Sequence, residues 1–91
     1  MNDSELKQKV KEAAEAEKIV NSAVYRKATT MIKAELFRQF EGSKFKDTEM
    51  RDEVWRKMQA LNWVDQAIMR IIKEGSIAEK KLLDKIKEKL S

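Results

Sequence analysis

The chain has 91 residues, 42% of them hydrophobic and 40% charged, with two glycines, no proline, no cysteine, no histidine and a formal net charge of +4. That length allows one domain, and a composition rich in Ala, Glu, Lys, Leu and Arg points to long helices rather than strands. The lack of cysteine excludes disulfides, thiolate nucleophiles and zinc–thiolate sites, and the lack of histidine removes the commonest general base and the commonest transition-metal ligand.

A chain of this size buries only about 60–70% of the surface its unfolded form exposes, so its core is thin and a core shared with a second copy is expected. No apolar run is long enough to span a bilayer, and no signal-peptide pattern stands at the start. A membrane role is therefore not expected, and the expected location is a cytoplasm or a particle assembled in one.

In chain order, "SELKQKVKEAAEAEKIV" opens at Ser4, a suitable N-cap with Glu5 just inside. Leu6, Val10, Ala13 and Val20 form a narrow apolar stripe that Glu17 interrupts. Such a stripe suits a coiled-coil seam or a loosely attached arm, so residues 1–20 read as a helical arm whose removal leaves the core folded. Asn21 and Ser22 are a candidate helix boundary, but without Gly or Pro there one helix, straight or bent, is expected to run through them into a core helix over 21–41. There Val24, Ala28, Met31, Ile32, Leu36 and Phe40 recur mostly at three- and four-residue steps, with Phe37 alongside.

Gly42 fits the left-handed position that ends helices. Ser43 to Lys46 form a short connection, and Asp47 or Thr48 is a good N-cap for the next helix, with Glu49, Asp52 and Glu53 in its first turns. Two readings of the gap stay open. In one, a structural corner buries Phe45 and leaves Lys44 and Lys46 in water. In the other, Lys44 and Lys46 sit on a recognition loop.

The helix over 48–74 carries Val54, Met58, Leu61, Ile68 and Ile72, broadened by Trp55, Val64 and Ile71. Gly75 is expected to end it, and Ser76 with Glu79 spells a capping box for a last helix over 77–90. The fold class expected from this pattern is all-α: an antiparallel helical hairpin or a three-helix bundle with an N-terminal helical arm.

Candidate chemistry is sparse. Glu12 with Glu15, and Glu49 with Asp52 or Glu53, put carboxylates on one helical face, but as solvated acids rather than a metal site. There is no phosphate-binding glycine loop and no nucleophile elbow. The chain is expected not to be an enzyme and to need no cofactor, metal or small-molecule substrate. Residues 22–46 hold the densest basic region. Arg26, Lys27, Lys33, Lys44 and Lys46, with Tyr25 and Phe45 near in sequence, are the candidate nucleic-acid contacts. Trp55 and Trp63 stand eight residues and so about 80° apart around a helix. Trp55 is expected in the core and Trp63 on a flank, with two readings open: a subunit or partner surface, where Trp is enriched, or packing under the N-terminal arm of its own chain. Leu6, Val10 and Trp63 are the candidate interface residues.

Three stretches, "IVNSAVYRKATTMIKAELFRQF", "KDTEMRDEVWRKMQALNWV" and "IIKEGSIAEKKL", resemble a group of small, uncharacterised helical proteins of tailed bacteriophages and prophages. The resemblance spans Ile19 to Leu82. It rests on a helix ending near an aromatic, an acidic restart with Arg51, Glu53 and Trp55, and Gly75 followed by Ile77 and Ala78. It implies a phage protein acting in the host cytoplasm or in the virion, and no site residues come with it. The leading expectation is a small accessory or assembly protein that self-associates, or binds another phage protein, through helical faces. The alternative is a nucleic-acid-binding or host-regulatory protein using the basic region.

Overall fold

The computed structural model describes residues 1–44 and 46–90. It is all-helical there, with α1 (Asp3–Asn21), α2 (Ala23–Gly42) and α3 (Thr48–Leu90). The chain divides into two compact units: residues 22–66, and residues 1–21 with 67–91.

In the unit of residues 22–66, the chain breaks where continuity was expected. Ser22 has an extended backbone (φ −71°, ψ 141°), and its Oγ accepts the Tyr25 N–H at 3.1 Å. A serine N-cap starts a helix by satisfying one of its orphan donors, which requires neither Gly nor Pro. At the other end of α2, the Ser43 N–H donates to the Phe40 carbonyl at 3.2 Å, and its Oγ donates to the same oxygen at 2.6 Å. Gly42 does close α2, but not by a left-handed turn, since no described glycine has a positive φ. Ser43 supplies the hydrogen bonds that the left-handed residue would otherwise have provided.

The restart follows the sequence reading. Asp47 Oδ1 accepts the Met50 N–H at 3.2 Å, and the Asp47 N–H closes a turn on the Lys44 carbonyl at 2.8 Å. Lys44 and Lys46 are exposed. The expectation for Phe45 lies outside the described residues.

The first part of α3 runs antiparallel to α2. Arg51 Nε donates to Ser43 Oγ at 3.1 Å near the connection, and the Tyr25 hydroxyl donates to Asp65 at 2.6 Å toward the far end. Between these ties the contact strip holds Leu36 and Val54, both 5% exposed. Trp55, expected in the core, is 62% exposed. The reason is geometric: Val54 takes the position facing α2, and the next residue along a helix turns about 100° away.

In the other unit α1 is no loose arm. Leu6 (2% exposed), Ala13 and Ala16 are buried against the later part of α3, where Ala78 is 1% exposed. The helices run antiparallel, with Asp3 on Lys85 at 2.5 Å and Lys9 on Glu74 at 3.4 Å. Asn2 rather than Ser4 caps α1, its Oδ1 accepting the Glu5 N–H at 2.8 Å.

Gly75 does not end a helix, and α3 is continuous from Thr48 to Leu90, so the expected 48–74 and 77–90 helices are one. Gly75 is buried where α1 comes closest. A Cβ there would overlap that of Ala13 and stand 2.9 Å from the Lys9 carbonyl oxygen. The glycine serves backbone approach rather than termination. Ser76 lies inside the helical ladder, so its amide has no need of a capping box.

The two glycines should therefore respond oppositely to alanine. At Gly75 the overlap is partly with backbone, so the cost falls at the upper end of the ~1–3 kcal/mol for overpacking. That exceeds the ~1 kcal/mol that alanine contributes in a helix interior. At Gly42 nothing lies within 4 Å of the added Cβ, and the change should stabilise by about 0.5 kcal/mol. Urea melts of Gly75→Ala and Gly42→Ala check both signs. Stabilisation by Gly75→Ala would mean that α1 is not seated there.

Burial of Leu6 also reverses the expectation for truncation. Leu6→Ala should cost about 3 kcal/mol. Removing residues 1–20 should lower helicity by more than the deleted segment accounts for, because the later part of α3 loses its only packed partner within its unit. Circular dichroism of the truncated and full-length chains, compared per molecule, measures this.

Candidate functional site

The side of the α2–α3 hairpin that carries Phe37 and Trp55 is an open groove of about 290 Å³. Its floor is the contact strip, Leu36 and Val54. From α2, Phe37 and Phe40 stand beside the strip, 63% and 43% exposed. From α3 come Trp55 and the half-buried Met58. The arrangement follows from helical spacing: Phe37 and Trp55 are each one residue past a buried anchor, on the flanks that face the same side.

Two cations edge the groove. Arg51 is held in place, its guanidinium carbon 4.7 Å from the centre of the Phe40 ring and its Nε on Ser43 Oγ. A cation over a ring face is attracted by the ring quadrupole, so Arg51 fixes Phe40 as well as the connection. Lys33 is exposed at the α2 edge. An apolar groove with aromatic, Met and Arg side chains has the make-up of the energetically dominant parts of protein interfaces.

The residues singled out from sequence fall in different places. Leu6 is buried within its own chain, which removes it as a free interface residue, and Val10 is half-buried beside it. Trp63 is 66% exposed. It lies nine residues past Val54 and so about 180° from the contact strip, away from the groove. Arg26, Lys27, Lys33, Lys44 and Lys46 are all exposed. Arg26 and Lys33, seven residues apart, share a face of α2, while Lys27 is turned about 100° from Arg26. Of the five, Lys33 alone lines the groove. Nearby Arg38 is engaged by Glu35, with Nε on Oε2 at 3.0 Å and Nη2 on Oε1 at 2.6 Å. That pair holds the Glu35 carboxyl below its usual range.

Glu12, Glu15, Glu49, Asp52 and Glu53 are exposed. Among the described residues no group of three or more acidic, His or Cys side chains is placed to hold a metal ion. None of the described helices is long and apolar enough to cross a membrane.

Sequence reasoning passed over Phe37, Phe40 and Trp55 as site residues because it assigned them to the core. The available signal was width. With Phe37 included, the apolar residues of α2 spread further around the helix than one two-helix contact can cover.

Comparison of the chain with protein-family models, with curated proteins and with solved structures gives no match.

The far end of the hairpin has its own titration signature. The Tyr25 pKa is raised, first because its hydroxyl donates to Asp65, then by desolvation and the Asp65 charge. Because the folded pKa is raised, the stabilisation is complete below the unfolded tyrosine value near 10. It is lost as pH rises through the higher folded value. The chain has one tyrosine, so an ultraviolet titration reads it directly. Its midpoint should lie above that of the unfolded chain, and Asp65→Asn should bring it down. An unchanged midpoint would mean the bond is not made in solution.

Proposed function

We propose that this chain is a small helical protein-contact module that self-associates, an accessory or assembly protein of a tailed bacteriophage or prophage acting in the host cytoplasm or the virion. The observation that carries the contact reading is the imbalance of apolar surface. Among the described residues six apolar side chains are buried, three of them alanines, while seventeen large ones are exposed. Single exposed apolar residues are ordinary, but a contiguous patch marks a contact surface, and Phe37, Phe40 and Trp55 are contiguous. The phage assignment rests on the resemblance of the Ile19–Leu82 stretches.

The test is molecular mass by light scattering through the micromolar range. The module should appear as a dimer or larger. A folded, strictly monomeric chain throughout would remove self-association from the reading. A gel shift with generic DNA and RNA at two salt concentrations tests the alternative, in which Arg26, Lys27, Lys33, Lys44 and Lys46 contact phosphates. The contact module should give no salt-sensitive shift in the concentration range where it associates.

A further inference from the structure

We infer that the groove of the α2–α3 hairpin is the face on which two copies pair, each covering the other's Phe37, Phe40 and Trp55. This rests on the self-association reading and names the surface and the occupant.

Area is the first argument. At roughly 200 Å² for an aromatic side chain, exposures of 63%, 43% and 62% leave on the order of 340 Å² of these three residues in water. A stable interface takes about 800 Å² from each partner, somewhat over half of it apolar. The rings alone supply most of that apolar share, and the half-buried Met58 adds to it.

The second argument identifies the occupant. Among the described residues of 22–66, Leu36 and Val54 are the buried apolar side chains, each 5% exposed. Two such side chains, with Met58 and Leu61 half-buried, are a thin core to set against the entropy of ordering two helices. A second copy laid on the groove adds the apolar burial that the two-helix contact lacks, and brings an identical groove to be covered in return.

The third argument is charge. Arg51 is already stacked on Phe40 and bonded to Ser43, so it enters the contact held in place and with part of its desolvation offset. Lys33 can lay its stem along the edge and keep its ammonium in water. A two-fold axis running along the groove, parallel to the helices, sets α2 of each copy over α3 of the other, and the two two-helix layers become one four-helix arrangement.

The two tryptophans make the test. In Trp63→Phe the remaining Trp55 should shift its emission to shorter wavelength over the concentrations at which scattering mass doubles. In Trp55→Phe the remaining Trp63 should not shift. Phe37→Glu should return the full-length chain to monomer mass, and Trp63→Glu should leave the dimer intact. Association without a Trp55 shift, or with a Trp63 shift instead, overturns the groove as the contact while self-association stands. A chain that stays monomeric, with Trp55 emitting as in water at every concentration, overturns both. The emission readout does not depend on whether Phe37→Glu folds.

Discussion

Two helices laid side by side bury only the strip along which they touch, and most features of this chain follow from that limit. Between α2 and α3 the strip holds Leu36 and Val54, with polar ties at its ends, Arg51 on Ser43 and Tyr25 on Asp65. Residues about 100° off the strip stay on the flanks. Phe37 and Trp55 occupy those positions, so the groove is the open edge of a two-helix contact. A third helix laid there would make it a core. Among the described residues of 22–66 there is no third helix.

The contact of α1 with the later part of α3 meets the same limit differently. Its buried residues are mostly small: Ala13, Ala16, Gly75 and Ala78, with Leu6 as the one large side chain. Small residues let backbones approach, and the gain comes from many close van der Waals contacts rather than from large buried side chains. The ion pairs flanking the contact, Lys9 with Glu74 and Lys85 with Asp3, are partly exposed, and pairs of that kind contribute little to stability. Their effect is on direction, since only the antiparallel alignment brings those charges together.

The helical class was legible in composition and periodicity, as were the stop near Gly42 and the Asp47 cap, because each is a local property of the chain. What was not legible depended on neighbours. Gly75 carries the same letter whether it ends a helix or admits another one, and only Ala13 and the Lys9 carbonyl beside it decide. The stripe of α1 looked too narrow for a core because Glu17 interrupts it and Ala16 was not counted, yet Ala16 is buried and small residues are what a close contact requires. The boundary at Ser22 was a candidate set aside because Gly and Pro are louder boundary signals than a serine cap. Trp55 was read as core since periodicity reports that a residue lies near the apolar stripe, not how wide a partner will cover it. The dispersal of the basic residues was legible too, since spacing alone turns Lys27 about 100° from Arg26 around α2.

An exposed aromatic groove would normally invite open-ended aggregation, and the placement of the remaining apolar residues bears on why it need not. In the proposed pairing both grooves are consumed, because a two-fold contact uses the same surface on each copy and closes on itself. What stays in water includes Val24 and Met31, 79% and 62% exposed, and Val64 at 52%. Val64 is nine residues from Trp55 and so about 180° around α3 from it, and Met31 is about 120° from Phe37 around α2. These side chains lack rings and lie off the groove. Trp63, 66% exposed and about 180° from the contact strip, also stays in water, but as one ring rather than the cluster of Phe37, Phe40 and Trp55 that builds the contact. Lys33 at the groove edge adds to this. Its charge is tolerable beside a closed contact, where it reaches water, but not inside a continuous stack, where it would be buried without a partner.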